Sequence, residues 1–140
     1  MPHKNIAERN AYSKEYNKKR RAFGKVTLRQ VLCNIAQQAK KRNIEKYKII
    51  DTPSASVIAG WLQEKWDEQN GLCALSGTPM TYISGQGLVD TNVSIDRIDS
   101  NKPYEKDNIQ LICHRLNTMK SNLSDVLFVD WCKKVAEYNV

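Results

Sequence analysis

Residues 93–120 read VSIDRIDSNKPYEKDNIQLICHRLNTMK, and the remainder of the chain is arranged around them. They open with an alternating strand, Val93-Ser94-Ile95-Asp96-Arg97-Ile98, that ends in concentrated charge. Ser100, Asn101, Lys102 and Pro103 then mark a turn. Beyond it Ile109, Ile112, Cys113 and Leu116 recur at the spacing of a half-buried helix, with Asp107 placed to cap its free N–H groups. A strand ending in a carboxylate and folding back onto an amide-bearing helix can hold one divalent cation between them.

The same stretch resembles the HNH (His-Me finger, ββα-metal) endonuclease family. The matching residues are Asp96-Arg97 at the strand end, Asp107-Asn108-Ile109-Gln110-Leu111 after the turn, and Asn117-Thr118-Met119-Lys120. The likeness runs from about Gly71, through Cys73-Ala74-Leu75-Ser76-Gly77, to about Trp131, and is nearest to phage-type members that also read Asp-Arg-Ile-Asp. It implies a mostly helical α+β fold: a ββα-metal hairpin-helix core with basic N-terminal helices and a C-terminal helix. It also implies that Asp96 and Asn117 ligate the metal and that Asn108 holds the loop between strand and helix. One departure bears on catalysis. The family's Asp-His is here Asp96-Arg97, and a guanidinium cannot accept a proton from water, although it can grip a phosphate or stabilise transition-state charge. Many relatives also carry a zinc on two C-x-x-C knuckles. Here each knuckle retains one thiol, Cys73 with Ser76 and Cys113 with Leu116, so no structural zinc is expected and Cys73 should pack near Cys113.

A one-metal phosphodiester hydrolase holds a hard cation against the scissile phosphate, activates a water and keeps the backbone in place. The carboxylate of Asp96 and the amide oxygen of Asn117 suit one Mg²⁺ or Mn²⁺ ion. His114, three residues before Asn117 on the same helical face, is one candidate base. Tyr104, Asp99 and a metal-bound hydroxide are the others, and no spacing separates them. Lys120, one turn beyond Asn117, is placed to contact a substrate phosphate.

Charge points to the partner. Residues 1–48 hold 14 Lys and Arg against three Glu, a balance of +11, and the rest of the chain balances at −4. A basic front on a mildly acidic body suits a polyanion, which the resemblance implies is double-stranded DNA. Lys18, Lys19, Arg20 and Arg21 form its densest run and read as a phosphate-contacting arm. With 140 residues the chain reads as two regions, a basic helical one over 1–48 and the nuclease-like domain over 49–140. No apolar run reaches the ~18 residues of a membrane span and no secretory signal opens the chain, so cytoplasmic residence is expected, in the host cell if the chain is phage-encoded. The four cysteines form no C-x-x-C pair and read as buried thiols.

Outward from the centre, residues 6–22 favour a helix that packs weakly by itself. Thr27 caps a second over 28–43, with Leu28, Val31, Leu32, Ile35 and Ala39 inward and Lys40, Lys41 and Arg42 in its last turn. Residues 47–50 read as extended. Thr52 or Ser54 starts a third helix with Val57, Ile58, Trp61, Leu62 and Trp66 inside, ended by Asn70-Gly71. Met80-Thr81-Tyr82-Ile83 is predicted to pair with residues 93–98 as a hairpin. Ser124 caps a last helix whose buried stripe is Leu127, Phe128, Trp131, Cys132, Val135 and Tyr138. The functional expectation is a metal-dependent DNA endonuclease or nickase leaving 5′-phosphate and 3′-hydroxyl ends. The rivals are a catalytically inactive DNA-binding protein or regulator, and an inhibitor whose basic arm grips an acidic protein.

Overall fold

The computed structural model describes Ala7, Glu8, Asn10, Ala11, Lys14 and residues 26–140. The five positions before residue 26 are helical and exposed; Lys18, Lys19, Arg20 and Arg21 lie outside the described residues. The fold is α+β and mostly helical. Its first long element, α1 (Leu28–Tyr47), starts at a reciprocal cap in which Thr27 Oγ1 accepts from Gln30 N and Gln30 Oε1 accepts from Thr27 N. The helix runs past the expected end and stops at Lys48, whose left-handed φ of 58° turns its N–H back onto the Asn43 carbonyl. Residues 47–50 are therefore a helix end and turn rather than an extended piece.

Ser54 is the cap of α2 (Ala55–Glu68), accepting from Val57 N. Leu32, Ala36 and Ala39 of α1 close on Ile58 and Leu62 of α2, all but inaccessible to solvent, while Trp61 and Trp66 pack at the margin. Val57 was expected inside but is about half exposed, because the small side chains of α1 let the helices meet along Ile58 and Leu62 instead. A tight corner at Asn70 and Gly71 then sends the chain towards the sheet.

The sheet is one antiparallel pair, β1 (Val93–Arg97) and β2 (Ile109–Cys113), in the register Val93↔Cys113 to Arg97↔Ile109. Here the structure corrects the sequence reading twice. Ile109–Cys113 is strand and not helix, and the helix it leads into, α3 (His114–Lys120), begins only at His114. Ile109, Leu111, Ile112 and Cys113 are all buried, so both faces of β2 are covered and its apolar run carries no period-two signature. Asp107 accordingly sits in a short 3₁₀ turn (Lys106–Asn108) before β2, with no helix to cap. Met80-Thr81-Tyr82-Ile83 is no hairpin strand either: Thr81 makes a single parallel bridge to Asn92, and Asn92 uses its side-chain amide to hold Thr81 and Ile83.

α4 (Asp125–Tyr138) is capped by Ser124, which accepts from Leu127 N. Only Phe128 of its expected stripe is buried. Leu127, Trp131, Val135 and Tyr138 are exposed, since no element lies across that face among the described residues. One core of α1, α2 and the hairpin joins residues on both sides of position 48. No described helix is long and apolar enough to cross a membrane.

Candidate active site

The β1–β2 pairing places Asp96 opposite Gln110, and α3 packs back across the strands. Asp96 is 5% exposed, and its Oδ2 accepts from Gln110 Nε2 at 2.9 Å and from Lys120 Nζ at 2.6 Å. Both partners sit on one oxygen, so Oδ1 takes no hydrogen bond from the described residues. Asn117 approaches the same strand one turn before Lys120. Its Nδ2 donates to Ser94 Oγ and, at 3.0 Å, to the Ile95 carbonyl. A carbonyl can only accept, which fixes the amide orientation and leaves Asn117 Oδ1 as the second uncommitted oxygen.

Asp96 and Asn117 line the same hollow, of about 300 Å³, together with Arg42, Lys46, Arg97 and Tyr104. Three cations thus share the hollow with one carboxylate and the amides of Asn117 and Asn122. Arg97 is held firmly: Nη1 donates to the Ser100 carbonyl at 2.9 Å and the Lys102 carbonyl at 3.2 Å, and the guanidinium lies about 5 Å from the ring centres of both Tyr47 and Tyr104. The Tyr104 hydroxyl accepts from Arg42 Nη1 at 3.0 Å. Asn43 of α1, 2% exposed, exchanges two hydrogen bonds of 2.9 Å with the main chain of Tyr104.

Asn108 is a loop clamp. Its Oδ1 accepts from Asp99 N at 2.8 Å, and its Nδ2 donates to the carbonyls of Asp99 and Pro103, both at 3.0 Å. Asp99 is thereby tied into the turn, its own carboxylate accepting from Asn101 N, and it does not line the hollow. His114 lines a neighbouring, wider hollow of about 780 Å³ with Ser94 and Asn117. The two hollows share Arg42, Ile95 and Asn117 as walls and form one groove between α1 and the hairpin-helix unit. The groove was not foreseen; the exposed Asn34, Gln38, Arg42 and Lys46 at four-residue steps are the sequence signal that would have found it. A separate hollow of about 450 Å³ between α1 and α2 is walled mainly by small and apolar side chains and offers no carboxylate.

Lys120 does not face a substrate. It is 1% exposed and spends its three donors on Asp96 Oδ2, Asp125 Oδ1 at 2.8 Å and the Arg97 carbonyl at 3.1 Å. Burial pulls its pKa down, but the hydrogen bonds and charges of Asp125 and Asp96 outweigh burial and hold it above the ordinary lysine range. Gln110 also reaches both Asp125 oxygens, so the first turn of α4 is strapped to the strand.

The thiols of Cys73 and Cys113 lie together, Cys113 N donating to Cys73 Sγ at 3.3 Å. Burial, reinforced by the neighbouring Cys73, pushes the Cys113 thiol up to about 11. Burial also acts on Cys73, but hydrogen bonds from Ser76, Cys113 and Leu75 prevail and lower it. Among the described residues no three His, Cys, Asp or Glu side chains cluster to hold a metal, so a cation at Asp96 would rest on one carboxylate, one amide and water. No protein-family model, no curated protein and no solved structure matches the chain.

Proposed function

We propose that the chain is a divalent-cation-dependent DNA endonuclease or nickase of HNH-like design. The observation that carries this reading is the pair of uncommitted oxygens, Asp96 Oδ1 and Asn117 Oδ1, on residues lining one hollow ringed by Arg42, Lys46 and Arg97. Both donors are hard oxygens suited to Mg²⁺ or Mn²⁺, and such an ion supplies charge against the phosphate and a more acidic water. Arg42 and Lys46 position the DNA backbone. Arg97 adds positive charge beside the phosphate while fixing the loop carbonyls, and Asn108 keeps that loop in register. No His lines the inner hollow; His114 borders the wider one, beside Asn117.

The test is plasmid nicking with Mg²⁺ or Mn²⁺. Wild-type protein should convert supercoiled to open-circular DNA, with Asp96→Asn and Asn117→Ala each reducing the rate at least ~100-fold, the scale at which loss of a single charge-stabilising group acts. Undiminished nicking by both variants overturns the reading. A second reading, DNA binding without cleavage, is favoured by one specific contact: Lys120 already balances Asp96 at 2.6 Å and weakens its pull on a cation. It predicts tight binding and no strand scission with any divalent metal.

A further inference from the structure

Along the groove, α1 presents Asn34, Gln38, Arg42 and Lys46 as one i, i+4 ridge, all four exposed. The first three line the wider hollow and the last two line the hollow of Asp96. Two uncharged amides are thus followed by two cations, and the change falls where the groove reaches Asp96 and Asn117. An ordinary solvated helix face would mix charge along its length. Here Lys40, Lys41 and Glu45 lie on a different side, around another hollow.

We propose that this ridge reads DNA sequence beside the reacting phosphate: Asn34 and Gln38 contact base edges, while Arg42 and Lys46 hold the backbone. Asn and Gln side chains pair in bidentate fashion with adenine N6 and N7 in the major groove, whereas Arg and Lys bind phosphate irrespective of sequence. At ~1.5 Å per helical residue the ridge is about 18 Å long, which matches about five base steps of ~3.4 Å. The preferred site therefore carries adenine within about five steps on one side of the phosphate held by Arg42 and Lys46. Elsewhere on the wider hollow the polar side chains of Asn92, Ser94, Asn117 and Thr118 are engaged in hydrogen bonds within the fold, which leaves His114 and Gln37 as the other polar groups able to meet DNA.

The inference rests on the groove being a DNA site but not on cleavage, so a binding selection tests it. The full chain is mixed with a random-duplex library in EDTA, and bound DNA is sequenced. Wild-type protein should enrich adenine at one or two adjacent positions by ~5- to 150-fold, the discrimination of one bidentate pair. Asn34→Ala with Gln38→Ala should erase that enrichment. Arg42→Gln with Lys46→Gln should weaken binding to every sequence alike and reduce the salt slope by about 2. Circular dichroism confirms that both double variants, altered only at exposed positions, remain folded. No enrichment by wild type, no DNA binding at all, or enrichment surviving in the amide variant each overturns the proposal. Nicking without base preference sinks this inference alone; base preference without nicking sinks only the nuclease reading.

Discussion

Lys120 shows how much one side chain can hold together. Its ammonium joins β1, through Asp96, to the first turn of α4, through Asp125, with almost no access to water. Lys120→Met removes the charge at similar volume and leaves two carboxylates facing each other. Breaking one partner of a buried pair costs about 3–5 kcal/mol, so urea denaturation should show a loss of that size. The same contacts set an alkaline limit. A lysine whose folded pKa is raised contributes stability that is complete below its unfolded value and fades as pH climbs through the folded one. Cys113, held protonated up to about 11, adds a second loss, because above pH ~9 the unfolded thiol ionises while the folded one does not. The lowered thiol of Cys73 contributes fully by pH ~9 and does not offset this fall. Denaturant midpoints should therefore decline between about pH 9 and 11 through Cys113, and further above about pH 10.4 through Lys120; a flat profile from about pH 9 to 11 would show that Cys113 is not held as the geometry indicates.

At the scale of elements, the corner after α2 is the sharpest demand on the chain. Gly71 sits at φ +69°, and a Cβ there would lie 3.0 Å from the Trp66 indole. Gly71→Ala should cost at least ~1–2 kcal/mol from the left-handed backbone alone, measured as a lower thermal midpoint. Such corners are readable in advance, as Asn70-Gly71 was, because few residues tolerate them. The caps at Thr27 and Ser124 were equally legible, and Ser54 was one of two candidates with Thr52, since a hydroxyl before an apolar period has a local cause. β2 was not. Its pairing with β1 depends on partners far along the chain, and burial on both faces makes Ile109-Gln110-Leu111-Ile112-Cys113 look like half a helix. Asp96 and Asn117 stood out through the family resemblance, Asp96 also because charge ends its strand. That Lys120 would turn inward did not, because nothing local announces the acid on α4 that draws it there.

For the whole molecule, the described core begins at Leu28, and α1 is capped by its own Thr27 and Gln30. Removing residues 1–24 should leave the thermal midpoint within a few degrees of the intact chain. It should also lower DNA affinity, with the salt slope falling by about 0.9 for each phosphate no longer neutralised, as fluorescence anisotropy across a salt series would show. Retained affinity and slope would place the binding energy in α1 and the groove instead. The exposed apolar line of α4, by contrast, owes nothing to the core, so surface substitutions at Val135 or Tyr138 should leave stability within about 0.5 kcal/mol.

Asn43 fastens the two sides of the groove together. Its amide grasps Tyr104 by both main-chain N–H and carbonyl, so the long helix is tied directly to the turn carrying Ser100 to Asn108. Through that tie the helix bearing Arg42 and Lys46 is joined to the carbonyls under Arg97, and so to the end of the strand that bears Asp96.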